Sequence, residues 1–408
     1  MKSYLFTLLV RFFVPVSAFG VFVVSSILFG AEGRGVIGYG SAIASLCGLL
    51  FSFNLGRSFL YETKKNQNLK KNKLPEFLTI NYFLMFIASL TALIFFSLNS
   101  SAIDIVNFEL FLPFLLLTPY YLWTVNGDVF YAAINKTTIQ DNIILSYRLV
   151  LLITMFFIYV LNINNISTFI YLYAFILFFG VLIEINFLGK SYDGFKHLGN
   201  LKKYISDSKN VHLDYLAFNI FPLVLMIISG FFLKLSDLGK LNFLIQLINF
   251  IFIFSNVASI RVKNYVADIG SASRLNSIKK LIFFTLFISL FSIILIFILL
   301  NSVYFNETFR SFSNLSIYFF IISISLPGFA LYQFSYPILL EYNFINYSMK
   351  FNSAITIIII LSTIPLLKYN GFLGAVISFV LFYSCIFLSQ LYLLNLLRVK
   401  FLLNKNIS

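Results

Sequence analysis

The chain has 408 residues, of which 60% are hydrophobic and only 11% charged, with a mean hydropathy of +0.93. That composition excludes a soluble globular domain and describes a polytopic membrane protein. The net charge of +14 is carried by short basic connections between apolar runs, a pattern that orients a membrane protein and touches anionic lipid rather than nucleic acid.

Apolar segments long enough to span a bilayer follow one another at 5–30, 36–60, 77–98, 108–134, 143–161, 166–188, 211–233, 240–262, 278–300, 314–340, 351–367 and 371–397, twelve in all. The runs are continuous rather than alternating, which predicts helices and excludes an outer-membrane barrel. The first run exceeds the core of a signal peptide and lacks a convincing cleavage site, so it reads as a helix. It carries Arg11, four residues before Pro15, where a bend is expected. The "GAEGRG" that follows, 30–35, resembles a phosphate loop in composition only; lying after a membrane helix instead of a strand, it reads as a tight connection.

In the second span Gly38, Ser41, Ser45, Gly48 and Ser52 form a small, polar stripe at three- and four-residue spacing, and Arg57 follows near its end. The lysines 64, 65, 70, 71 and 73 come next, in water. The fourth and fifth spans carry Asp128 and Arg148 at matched depth on either side of a short connection, the arrangement expected of a structural ion pair. The basic stretch 189–210 falls almost at the midpoint of the chain. Beyond it, Asn242, Gln246, Asn249 and Asn256 stripe the eighth span, which also holds Arg261.

These features predict a duplication. With a shift of 204 residues, Ser25 meets Ser229, Gly35 meets Gly239, Arg57 meets Arg261 and Tyr61 meets Tyr265. Six spans separate the copies, an even number, so the halves are expected to be parallel repeats. The expected fold is therefore an all-α integral membrane protein of twelve transmembrane helices in two parallel six-helix bundles around a central cavity. Its parts are an N-terminal bundle at 1–188, a cytoplasmic linker at 189–210 and a C-terminal bundle at 211–408. With both termini cytoplasmic, 24 of the 29 Lys and Arg lie on the inner side, and Arg34, Lys234, Lys240, Arg310 and Lys368 remain outside.

An arginine at mid-membrane costs about 2.5 to 3.5 kcal/mol on insertion scales, so several of them need water, partners or a ligand. Arg11, Arg57, Asp128, Arg148 and Arg261 all fall within roughly 15 Å of the expected inner face at about 1.5 Å per residue. Snorkelling to headgroups is one reading of the arginines. The other is a cationic mouth formed by Arg11, Arg57 and Arg261, since guanidinium forks grip phosphate and pyrophosphate bidentately. A lipid-linked phosphorylated solute presented from the cytoplasm fits that mouth. Catalysis is not expected: His197 and His212 stand apart from any acidic or cysteine cluster, Asp104 and Glu109 are five apart, and Cys47 and Cys385 are distant helix residues. Neither a metal nor a bound cofactor is expected.

The segment "ILFGAEGRGVIGYGSAIASLCGLLFSFNLGRSFLYETKK" resembles the first hairpin of the polysaccharide (Wzx-type) branch of the multidrug/oligosaccharidyl-lipid/polysaccharide exporter superfamily. Gly30, Glu32, Gly33 and Gly35 match its G-x-E-G-x-G turn, and Asn54 and Gly56 its D/N-x-G segment. "NGDVFYAAINKTTIQDNIILSYRL" resembles the connection between its fourth and fifth helices. The resemblance implies an O-antigen or capsule flippase of the bacterial inner membrane. Such a protein moves an undecaprenyl-pyrophosphate-linked oligosaccharide to the outer leaflet by alternating access, among membrane lipids and polysaccharide assembly proteins. The related lipid II flippase branch places cavity arginines on helices 1, 2 and 8, which Arg11, Arg57 and Arg261 resemble. The family also implies coupling to a Na+ or H+ gradient or to membrane potential, through an acidic group on the seventh helix; Asp214 lies near the start of that helix here, and Asn352 and Thr356 form a polar pair one turn apart on the eleventh. The rivals are a multidrug exporter of the same superfamily, which wants carboxylates for cationic solutes, and an O-antigen polymerase, which needs a large outer loop.

Overall fold

The computed structural model describes residues 2–57, 59–60, 69–100, 108–190, 201–266, 272–342 and 344–405, and the described residues are helical apart from short turns. Helix α1 (Lys2–Ser52) carries the first two spans and leaves helical geometry at Gly30, whose φ of 60° and ψ of −159° suit a residue without a Cβ. Helices α2 (Leu69–Ser100), α3 (Phe108–Ala133), α4 (Thr137–Val160) and α5 (Ile166–Lys190) match the third to sixth spans. Helix α6 (Leu201–Gly230) and α7 (Leu235–Val266) follow, then α8 (Ala272–Leu300) and a short α9 (Val303–Thr308). The tenth span is split into α10 (Ser316–Ser323) and α11 (Leu326–Glu341), and α12 (Ile345–Lys405) carries the last two spans with a break at Gly371, φ 53°.

Nine helices among the described residues are long and apolar enough to cross a membrane. Two of these, 46 and 53 residues long, suffice for two crossings each. Helix α3, with 26 residues, supplies one more at about 39 Å. All twelve expected spans therefore fall on helix. The stretch expected as a linker differs: α6 begins at Leu201, so 201–210 is helical, while 191–200 lies outside the described residues.

The chain divides into two compact units, Met1–His212 and Leu213–Ser408. In the first, the small residues of the second span serve helix packing. A Cβ on Gly48 would stand 2.8 Å from the Leu122 nitrogen and 2.9 Å from the Thr118 carbonyl oxygen, so the main chains of α1 and α3 touch. Gly48 and Ser52 are buried, and only Ser41 and Ser45 of that stripe are half-buried. The expected polar face is thus mostly a seam. Phe59, Phe77, Phe130 and Trp123 pack around α3, with ring centroids 5.1 to 6.2 Å apart. In the second unit Phe218 stacks on Tyr332 and Phe252 on Phe329, each pair at 3.6 Å. Large apolar side chains are exposed along α4, α5, α8 and α12, as a surface facing hydrocarbon requires.

Candidate functional site

The second span is not one helix to its end. Helix α1 stops at Ser52, Phe53 and Asn54 take left-handed angles (φ 45° and 50°), and helix resumes at Leu55. A residue with a Cβ costs about 1–2 kcal/mol in that region, and Asn tolerates it best. The break frees main-chain groups that neighbouring elements satisfy. Asn126 of α3 donates through Nδ2 to the Ser52 carbonyl at 2.9 Å and accepts at Oδ1 from the Gly56 N–H at 3.2 Å. Ser208 of α6 donates to the Phe53 carbonyl at 2.7 Å, and the Phe53 ring packs 5.4 Å from that of His212. The Arg57 N–H turns back to the Asn54 carbonyl at 2.9 Å. Arg57 itself is half-buried directly after this break. Arg11 lies on α1 in the same unit and Arg261 on α7 in the other; the side chains of both lie outside the described residues.

Asp128 and Arg148 have separate partners instead of the expected ion pair. Asp128 accepts from Gln140 Nε2 at 2.9 Å, and the same amide nitrogen lies 3.1 Å from Glu184 Oε2. Glu184, buried to 1% exposure, also accepts from Trp123 Nε1 at 2.8 Å, and its carbonyl accepts from the Tyr131 hydroxyl at 2.8 Å. Arg148 donates to the Tyr120 hydroxyl and lies over the rings of Tyr120 and Tyr147, 5.6 and 5.7 Å from their centroids. Equal depth put the two charges at one level; the phase of α4 sends Arg148 toward tyrosines. Arg34, read from sequence only as an outer basic residue, is buried. Its Nη1 donates to Ser25 at 2.9 Å and its guanidinium sits 4.7 Å from the Phe22 ring centroid.

In the second unit the structure brings Asp214, Asn352 and Thr356 into one buried polar cluster. Asp214 accepts from Asn352 Nδ2 at 2.8 Å and from the Tyr332 hydroxyl at 3.1 Å. Asn352 Oδ1 lies 3.3 Å from Gln390 Nε2 and 3.4 Å from Ser389 Oγ, and Gln390 Oε1 accepts from Ser335 at 2.6 Å. Thr356 donates to the carbonyls of Ala217, 2.7 Å, and Asn352, 2.6 Å. Asp214, Asn352 and Gln390 are fully buried. Carboxylate, amide, hydroxyl and carbonyl oxygens converging from α6, α11 and α12 form the donor set that hard cations take.

No family model matches the chain, and no curated protein matches it. Solved structures do. An inward-facing multidrug resistance transporter of the MATE family, of the MOP superfamily, is similar with a TM-score of 0.65 and 12% identity, over 96% of this chain and 99% of that one. The eukaryotic MATE transporter AtDTX14 is similar with a TM-score of 0.66 at 11% identity, over 97% and 95%. The lipid II flippase MurJ in an inward closed conformation follows with 0.62 at 14%, over 97% and 87%. At these identities the likeness is one of fold: the chain is a twelve-helix, two-unit membrane protein with the architecture of these transporters.

Proposed function

We propose that the protein is a transporter rather than an enzyme, and specifically a flippase that carries an undecaprenyl-pyrophosphate-linked oligosaccharide from the cytoplasmic to the outer leaflet of a bacterial inner membrane. The observation that carries this reading is Arg57, a half-buried guanidinium set directly after a built break in a membrane helix. Guanidinium suits a pyrophosphate and repels the cationic solutes of a multidrug exporter. Arg11 in the first span is a second candidate ligand, and Arg261 aligns with Arg57 under the 204-residue shift and is the candidate of the second half. The fold shared with MurJ, described as a lipid II flippase, supports a lipid-linked substrate. The Asp214 cluster supports cation coupling, with a monovalent hard cation or a proton held between the carboxylate, Asn352 and Thr356.

The test is deletion of the gene followed by extraction of lipid-linked glycans. The reading expects an undecaprenyl-pyrophosphate oligosaccharide to accumulate on the cytoplasmic side and to disappear when the parent gene is restored. Accumulation of single repeat units on the outer face would mean a missing polymerase instead.

A further inference from the structure

Helix geometry makes the contact at Asn126 specific. In an unbroken α-helix the Gly56 N–H would donate to the Ser52 carbonyl, four residues back. Here both groups turn to Asn126, whose Oδ1 takes the N–H and whose Nδ2 serves the carbonyl. A carboxamide presents one acceptor and one donor side by side, as the peptide group does, so it replaces a single main-chain hydrogen bond without leaving either end unmet. The opposite orientation of the amide would set donor against donor and acceptor against acceptor. Asn81 of α2 fixes the observed one by accepting from the same Nδ2 at 3.0 Å.

The surroundings are shaped for this insertion. Asn126, Asn81, Ser52 and Asn54 are all buried, at 0 to 1% exposure. A Cβ on Gly56 would stand 2.6 Å from the Asn126 carbonyl oxygen and 2.9 Å from Val129 Cβ, so only glycine admits α3 this closely. Removing the amide would favour direct closure of the Ser52–Gly56 bond. Closure carries Phe53 and Asn54 from left-handed into right-handed angles and re-aims everything after them, Arg57 first.

We propose that Asn126 is a positioning residue for Arg57: its carboxamide, inserted into the helix in place of the Ser52–Gly56 hydrogen bond, holds the second span broken and sets where the guanidinium points. Its consequence for substrate rests on the reading of Arg57 as a pyrophosphate ligand; its consequence for helix geometry does not.

The test separates the two. In full-length detergent-solubilised protein with Cys47→Ser and Cys385→Ser, a reporter at Arg57→Cys is labelled with a water-soluble maleimide. Combining it with Asn126→Leu, which removes both bonds, shifts the labelling rate about thirty-fold, the weight of two ordinary hydrogen bonds on a two-state equilibrium. Asn126→Asp, which keeps volume and acceptor but loses the donor, gives a smaller shift in the same direction and serves if the leucine variant does not reach the membrane. In parallel, undecaprenyl pyrophosphate binding is measured on Arg57-containing protein with and without Asn126→Asp. A changed labelling rate with weakened binding supports both readings. A changed rate with unchanged binding supports the positioning and overturns Arg57 as the ligand. Unchanged labelling in both variants overturns the positioning role.

Discussion

Asp214 of α6 and Asn352 of α12, 138 residues apart in sequence, meet in a 2.8 Å hydrogen bond with neither side chain exposed. The Asn352 amide thereby spends its Nδ2 on the carboxylate and turns Oδ1 toward Ser389 and Gln390. The Thr356 hydroxyl is spent separately, on the carbonyls of Ala217 and Asn352.

If that cluster holds the coupling cation, ligand binding stabilises the folded protein by mass action, about 2.7 kcal/mol at a hundred times Kd. The melting temperature of purified protein is expected to rise with NaCl relative to choline chloride, or glycan export to follow an imposed proton gradient. Asp214→Asn, nearly isosteric and uncharged, should abolish whichever dependence the parent shows. Retention of the parent's dependence in that variant would remove the cluster from the coupling mechanism.

The second prediction concerns the arginines. Each charge-assisted hydrogen bond to pyrophosphate contributes about 1.5 to 3 kcal/mol, so Arg57→Ala or Arg261→Ala should weaken carrier binding about ten-fold or more at matched membrane levels. Lysine should restore only part, because it keeps the charge and loses the fork. Parent-like binding in both alanine variants would leave these arginines as snorkelling residues.

Some of this is legible in the sequence alone. Continuous apolar runs located all twelve spans, and an acidic residue inside the seventh with a polar pair on the eleventh pointed to the residues that cluster. The break at Phe53 was not readable. Asn54 and Gly56 are residues that leave helical geometry easily, but the partner that opens the break, Asn126, comes from a helix 70 residues later. Depth alone pairs Asp128 with Arg148, whereas helical phase decides contact, and here it sends Arg148 to Tyr120. Glu184 did leave a signal, a lone carboxylate inside the sixth apolar run, where burial demands donors; Trp123 and Gln140 supply them. Arg34 looked like a loop charge because "GAEGRG" reads as a turn, yet the turn is Gly30 alone and helix has resumed before Arg34.

The third prediction is structural. A Cβ on Gly328 would stand 1.9 Å from the Tyr383 carbonyl oxygen, a main-chain atom that cannot step aside. Gly328→Ala should therefore force α11 from α12 and cost about 1–3 kcal/mol, read as a lower melting temperature and reduced membrane levels. An unaltered melting temperature would mean that the two helices approach less closely than described.

Orientation gives the fourth. The excess of Lys and Arg expected on one side of the twelve spans predicts that Asn200 and Ser408 lie in the cytoplasm. Reporter fusions at both positions should read cytoplasmic. An outward reading at either contradicts the proposed topology and, with it, the direction in which the arginines face.

The most direct measurement of the central claim is translocation itself. Purified protein is reconstituted into liposomes with a labelled undecaprenyl-pyrophosphate oligosaccharide, and the fraction in the outer leaflet is followed by an impermeant sugar-modifying reagent. The account predicts transbilayer movement that depends on the protein and falls about ten-fold or more with Arg57→Ala. Movement of the glycolipid no faster than in empty liposomes, together with uptake of a cationic dye by the same preparation, would contradict it.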